Sequence, residues 1–113
     1  MVRDVKNMRE PTFLILTALA DRPRHGYGIV QEVRVLSGGR ASLLTGTLYT
    51  ALDRLSAEGL VEPDHEEEVD GRLRRYYRLS AEGLAALTVE TARLRQLTTA
   101  AEARLRAVRP RTV

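Results

Sequence analysis

Residues 45–58 read TGTLYTALDRLSAE, and their apolar side chains recur at the spacing of an α-helix. Leu48, Leu52 and Leu55 lie four and three residues apart, so they form one stripe that must be buried. Thr45 is the best candidate for the N-terminal cap, because a threonine hydroxyl can accept a hydrogen bond from the first turn. The sequence therefore predicts an amphipathic helix that packs through its leucines.

The opposite face of this helix carries Thr47, Thr50 and Arg54, which are again three and four residues apart. Hydroxyl and guanidinium groups can contact base edges and phosphates, and a DNA major groove about 12 Å wide admits one helix. An ordinary surface helix with a solvated polar face has the same pattern. Taken alone, these residues favour the ordinary helix, so the neighbouring segments must decide.

Two further helices are predicted before this one. Residues 12–21 carry apolar side chains on nearly every side of a helix, which must therefore be well covered, and the polar residues 1–10 before it are expected to form a loose arm. The breaker segment DRPR at residues 21–24 ends the first helix. The second helix is predicted over residues 26–36 and ends at the Ser-Gly-Gly of residues 37–39.

A β-hairpin is predicted after the third helix. Residues 60–68 and 72–79 have the pattern of two strands, joined at Asp70-Gly71, a dipeptide that accepts the positive φ angles of a tight turn. Four arginines lie at and after this turn, namely Arg72, Arg74, Arg75 and Arg78. A basic hairpin beside a polar helix can clamp phosphates, but strand alternation prevents all four from facing one way. Among them we predict Arg72 and Arg74 as DNA contacts. The preceding strand is acidic, so a hairpin that neutralises itself is the alternative; the acidic residues are Asp64, Glu66, Glu67, Glu68 and Asp70.

A long last helix is predicted from the cap residue Ser80 to just before Pro110, about 28 residues or roughly 42 Å. Its apolar positions alternate at spacings of three and four, which is typical of a coiled-coil seam. Because a single helix of this length cannot bury its stripe against so small a domain, we expect a second chain to cover it in a homodimer. The predicted dimerisation residues are Leu84, Leu87, Thr91, Leu94, Thr98, Ala101, Leu105 and Val108.

The order of these elements predicts a mainly α fold with a small β-hairpin. It is that of a winged helix-turn-helix DNA-binding domain in residues 1–79, followed by a C-terminal dimerisation helix and short tail in residues 80–113. The chain has no cysteine, and its longest apolar run, residues 13–20, is far shorter than the roughly 20 residues of a membrane span. We therefore expect a cytoplasmic protein without membrane contact. The net charge of +3 weakly favours an anionic partner.

Catalytic, metal and cofactor sites are not predicted. No paired carboxylates, nucleophile with a base, or phosphate loop occurs at a meaningful spacing. His25 and His65 lack partners at metal-ligand spacing, so neither is expected to bind a metal. The chain also lacks tryptophan, which argues against a drug pocket that stacks flat compounds between aromatic rings. We expect a protein that is not an enzyme and needs no cofactor.

Three separated motifs resemble the PadR family of transcriptional regulators over about residues 11–84. They are GYGI at residues 26–29, GTLY at 46–49 continuing through ALDRL and EGLV, and RYYRLS at 75–80 followed by EG. The resemblance implies a homodimer of winged-helix protomers that usually represses transcription, of the small subfamily with one dimerisation helix. Thr50 stands where that family commonly has proline, and Leu44-Thr45 replaces a usual Ser-Pro.

The resemblance also implies that Tyr27 and Tyr49 lie near the DNA backbone. We therefore expect a sequence-specific regulator, most simply a homodimeric repressor that binds a palindromic operator in double-stranded DNA, with or without release by a small-molecule effector. The alternative is a winged-helix module that binds a protein partner through the acidic strand and never contacts DNA. The complete set of predicted DNA contacts is Tyr27, Thr45, Gly46, Thr47, Tyr49, Thr50, Arg54, Arg72 and Arg74.

Overall fold

The structure, a computed structural model, describes residues 8–108 of the chain. In chain order its elements are α1 (Glu10–Ala20), β1 (Arg24–His25), α2 (Gly26–Leu36), α3 (Thr45–Ala57), β2 (Val61–Val69), β3 (Arg72–Leu79) and α4 (Ala81–Ala107). Residues 1–7 of the predicted arm and Pro110, the predicted stop of the last helix, lie outside the described residues. Across residues 8–108 we find no helix that combines the length and the apolar character needed to cross a bilayer.

The predicted hairpin is present, and its turn has the predicted geometry. β2 and β3 pair in antiparallel register from Val61 opposite Leu79 to the turn, with one irregularity after Pro63. Asp70 and Gly71 connect the strands with φ angles of 52° and 75°. These left-handed angles are those that an Asp-Gly turn adopts readily, which confirms the prediction.

A third strand, which the sequence did not predict, attaches the hairpin to the helices. The two residues of β1 pair with β3, Arg24 opposite Tyr77 and His25 opposite Tyr76, so β3 lies between β1 and β2. Our prediction had only a helix break in this segment. A strand of two residues has no periodicity, and it forms here because β3 offers an unpaired edge.

The hydrophobic core lies where α1, α2 and α3 meet the base of the hairpin and the start of α4. The leucine stripe of α3 is fully buried, as predicted, and burying a single leucine stabilises the fold by about 1.5–3 kcal/mol. α1 is covered on most of its sides, which explains its nearly uniform apolar composition. The core residues are Leu14, Ile15, Leu16, Ala18, Leu19, Ile29, Val33, Leu48, Leu52, Leu55, Val61 and Leu87.

The helix caps correct one prediction and confirm another. α3 is capped by Leu44, whose carbonyl accepts from the Leu48 amide at 2.9 Å, so Thr45 is the first helical residue and the prediction that it caps the helix was wrong. Ser80 caps α4 as predicted, because its hydroxyl oxygen accepts from the Gly83 amide at 2.9 Å. The predicted start of α3 therefore moves by one residue, with Leu44 rather than Thr45 as the cap.

The first half of α4 packs on its own protomer. Leu87 is only 8% exposed and belongs to the hydrophobic core of the protomer, so no second chain is needed to bury it, and its place in a dimer seam stays a prediction. Leu94 is half-buried, whereas Thr98, Leu105 and the residues between and beyond them are exposed. The face of α4 that packs on the protomer core in the first half of the helix is therefore exposed to solvent in the second half.

Gly83 should tolerate no larger residue. A Cβ at this position would overlap the carbonyl oxygen of Leu60, so Gly83→Ala should lower the free energy of unfolding by about 3 kcal/mol, at the upper end of the usual cost of overpacking. Gly46 is the matched helical control, because a Cβ there meets nothing within 4 Å and Gly46→Ala should stabilise α3 by about 0.5–1 kcal/mol. Denaturant unfolding measures both changes, and equal effects of the two substitutions would contradict the packing described here.

Candidate nucleic-acid interface

The first half of α3 presents an uncovered polar surface. Thr45, Gly46, Thr47 and Thr50 are all exposed, on the side away from the buried leucines. The cap residue Leu44 offers no side-chain acceptor to the amides of the first turn. Such amides carry partial positive charge and favour an anion. The surface therefore combines hydroxyl groups, a residue without a side chain and donors from the backbone.

Thr50, which replaces the proline expected from the family resemblance, has its hydroxyl proton committed within the helix. Its Oγ1 donates to the carbonyl oxygen of Gly46 at 3.0 Å, one turn earlier. The hydroxyl oxygen keeps lone pairs that can accept a further hydrogen bond. Thr50 can consequently act towards an external partner as an acceptor while this bond persists.

Arg54 is not free, in contrast to the role predicted for it. Its Nη2 donates to Oγ1 of Thr12 at 2.8 Å, and its Nη1 pairs with Oε1 of Glu58 at 3.1 Å. Thr12 lies 42 residues earlier in the chain, on α1, so helical spacing within α3 could not have indicated the contact. The guanidinium therefore contacts α1 and the last turn of α3, while the Arg54 side chain stays about half exposed.

The two tyrosines implied by the family resemblance lie at the junction of α2 and α3. Tyr27 is in the first turn of α2 and is 65% exposed. Tyr49 extends from α3 to Gly26, so that a Cβ on this glycine would collide with the Tyr49 hydroxyl group. A side chain at Gly26 would force the Tyr49 ring to shift, so this glycine lets Tyr49 lie against the start of α2.

The arginines of the hairpin differ in their ion pairs. Arg78 is neutralised by Glu62 and Asp64, both at 3.0 Å, whereas Arg75 approaches Glu66 only to 3.9 Å. Within residues 8–108, Arg72 and Arg74 form no salt bridge with a carboxylate. The hairpin carries six carboxylates and four arginines, so it is not basic as a whole, but Arg72 and Arg74 towards its turn are the arginines least engaged by carboxylates.

The two faces of β3 point to different neighbours. Tyr77 packs against the core, and the pKa of its phenol is raised by burial and by the nearby Tyr49 and Asp53 of α3. Strand alternation places Arg75 on this same face, beyond the core. Arg74 lies on the other face, where it neighbours Tyr76. Arg75 therefore shares the α3 side of the sheet, and Arg74 does not.

A histidine cluster that the sequence did not predict occupies that other face. His65 stacks on Tyr76 with ring centroids 4.2 Å apart, and its two nitrogens contact Asp64 at 2.5 Å and Glu67 at 3.1 Å. The hydrogen bonds to Asp64 and then Glu67 raise the pKa of His65 above its usual value of 6.5. Part of the acidic strand is thus engaged by His65, and the strand irregularity after Pro63 hid this pairing from sequence periodicity.

His25 contacts the same tyrosine but has the opposite electrostatic character. Its ring lies 5.2 Å from that of Tyr76, where burial and then the charge of Arg74 lower its pKa. Across residues 8–108 no group of three or more histidine, aspartate or glutamate side chains could hold a metal ion.

A polar helix exposed beside a β-hairpin that carries arginines, on a three-helix core, is the arrangement of a winged helix-turn-helix protein. The family model described as "Transcriptional regulator PadR-like family" matches residues 15–89 of this chain. This chain belongs to that family of transcriptional regulators. The predicted fold class and family resemblance are both confirmed.

Individual relatives agree with this assignment. The "Transcriptional regulator Rv3488" of Mycobacterium tuberculosis is 43% identical over 83 residues, which cover 74% of each chain. A PadR family regulator from Clostridium difficile has 26% identity and a TM-score of 0.69, covering 83% of this chain and 96% of that one. Bacillus subtilis PadR, solved in complex with operator DNA, shares the fold with 22% identity and a TM-score of 0.63, over 71% of this chain and 46% of that one.

The two histidines should titrate on opposite sides of pH 6.5. An NMR titration of their ring protons should give His65 the higher pKa and His25 the lower one. The contacts of protonated His65 stabilise the folded state fully below pH 6.5, and this contribution is lost as the pH rises through its raised pKa. Asp64→Asn should bring the pKa of His65 towards 6.5 and leave His25 unchanged. A higher pKa for His25 than for His65 would contradict the cluster.

Proposed function

We propose that this chain is a sequence-specific DNA-binding transcriptional regulator, acting as a homodimeric repressor on a palindromic operator, and that it catalyses no reaction. The observation that carries the proposal is the exposed polar start of α3, beside a strand whose Arg75 lies on the face of Tyr77, a neighbour of Tyr49 and Asp53 in α3. The operator complex of Bacillus subtilis PadR, which has the same fold, supports DNA as the partner.

In this proposal α3 enters the major groove with its N-terminal half. Thr47 contributes a hydroxyl that can donate or accept, and Gly46 allows close approach of the backbone. Thr50, whose proton is bonded to Gly46, accepts from an exocyclic amine such as N6 of adenine or N4 of cytosine. Tyr27 and Tyr49 donate their phenol protons to phosphates beside the groove.

The hairpin supplies the contacts that do not depend on base sequence. Arg72 lies at the turn, and Arg75 lies on the strand face directed towards α3. Its ion pair with Glu66 is long and exposed, so it offers little resistance to exchange for a phosphate. We therefore propose Arg75 rather than Arg74 as the strand arginine at the DNA.

The homodimer is proposed to form through the uncovered half of α4. Leu97, Leu105 and Val108 are exposed there, each more than half accessible. This surface continues into a groove of about 650 Å³ lined in part by Phe13, Leu36 and Leu94. A second copy of α4 would cover both, and two protomers would present α3 to half-sites about one helical turn apart. A small-molecule effector that released the repressor from DNA would have to alter the spacing of the two α3 helices in this dimer.

The acidic residues of β2 are the best support for a protein-interaction module. Glu62 and Asp64 are engaged by Arg78, and Glu67 accepts hydrogen bonds from His65 and Tyr76 within the hairpin. Three of the six acidic residues of the hairpin are thus bonded internally, which leaves less free negative charge for a basic partner. We therefore favour DNA over a protein partner.

Arg75→Ala should weaken DNA binding through a lost phosphate contact. On an operator obtained by selection from random duplexes, the slope of log affinity against log salt should fall by about one unit. Arg74→Ala is the matched control, because it removes the same charge from the adjacent residue on the other strand face, and its slope should change less. The reverse order would mean that the opposite face of the hairpin meets DNA, and a wild-type protein that binds no duplex at low salt would refute the proposed function.

Leu105→Glu should shift the protein towards monomer in sedimentation experiments. Leu105 is 71% exposed on the uncovered half of α4, and an unpaired charge at a buried dimer contact should raise the dimer Kd at least about a hundredfold. Val89→Glu is the control, because Val89 is also exposed but lies about 160° around the helix from Leu105. An unchanged dimer in the Leu105 variant would remove this surface from the interface.

A further inference from the structure

One hydrogen bond joins the side chains of α3 and α1. The guanidinium of Arg54 donates from Nη2 to the hydroxyl oxygen of Thr12 at 2.8 Å, and its Nη1 is held by Glu58. Arginine recognition of guanine uses two guanidinium donors in parallel. Two of the five N–H donors of Arg54, one on Nη1 and one on Nη2, are already engaged within the chain, and these contacts set the orientation of the guanidinium.

The acceptor of this bond is deeply placed. Thr12 is 7% exposed, and with Glu90 it is one of the two buried polar residues of the described chain. Each of the two is held by an arginine, Glu90 by Arg93 and Thr12 by Arg54. A buried hydroxyl that loses its partner costs free energy, so the contact holds Arg54 in one orientation.

We propose that Arg54 is a positioning residue, which fixes the orientation of α3 on α1 through Thr12 and does not recognise bases. The inference rests on the proposed DNA-binding function and assigns base recognition to the first half of α3, ahead of Arg54. Because α1 also packs against α4, the same contact joins the DNA-contacting helix to the pair of helices at the proposed dimer surface.

The decisive variant is Thr12→Val, which keeps the shape of the side chain and removes the acceptor. It should lower the affinity for selected operator and for unrelated duplex by the same factor, about tenfold, with no change in salt slope. Arg54→Met should have the same effect, and the double variant should lose no more than either single one. Thr12→Ser should keep nearly the wild-type affinity because it keeps the hydroxyl.

Thr17→Val is the matched control on the same helix. The Thr17 hydroxyl donates to the Phe13 carbonyl within α1 and makes no link to α3, so its removal should leave DNA affinity unchanged. A changed base preference in Arg54→Met, or a salt slope reduced by about one, would overturn the inference in favour of direct contact with bases or phosphates. Additive losses in the double variant would overturn it as well.

Hydrogen exchange of the free protein tests the contact without DNA. Thr12→Val and Arg54→Met should each speed exchange of the α3 amides by a similar factor, and Thr17→Val should not. If the wild type bound no duplex, the proposed function would fail while this measurement still judged the contact. Unchanged α3 exchange in both variants would overturn the inference even if the wild type bound DNA.

Discussion

Burial of the α3 leucine stripe against α1 and α2 is the interaction on which the rest of the structure depends. Leu48, Leu52 and Leu55 are removed from water, and a helix with one apolar stripe can then present only its other side to solvent. That constraint exposes Thr47 and Thr50 together. Hydrophobic burial, which has no chemical specificity of its own, thus determines which polar groups are available to a partner.

The hairpin depends on the same core through β1. Because Arg24 and His25 pair with β3, the base of the hairpin is joined to the segment between α1 and α2. Arg24 adds side-chain contacts to the Ala18 carbonyl at 2.7 Å and to Glu32 at 3.6 Å. The turn end of the hairpin is therefore attached to a base that is fixed to the helices. The hairpin arginines differ because one strand face meets the core and the other meets solvent and the histidines.

The elements that could be predicted from the sequence are those determined by local periodicity. The bounds of α2, the leucine stripe of α3, the Asp-Gly turn and the Ser80 cap were all predicted, because each depends on residues a few positions apart. The link from Arg54 to Thr12 and the strand β1 depend on distant segments and could not be. Leu87 was predicted on a dimer seam and packs in the protomer core, because periodicity reports that a face is buried, not whether the same chain or a second one buries it.

Because α4 is covered in its first half and uncovered in its second, a small tilt of the helix within the core moves its exposed end by a larger distance. About 20 residues follow Leu87 in this helix, a length of about 30 Å, so a tilt of about 5° where Leu87 packs would move its far end by about 2.6 Å. Small changes in core packing are thereby magnified at the surface we propose for dimerisation. The spacing of two recognition helices, and hence the choice of operator, would be tuned from inside the protomer by residues that never approach DNA.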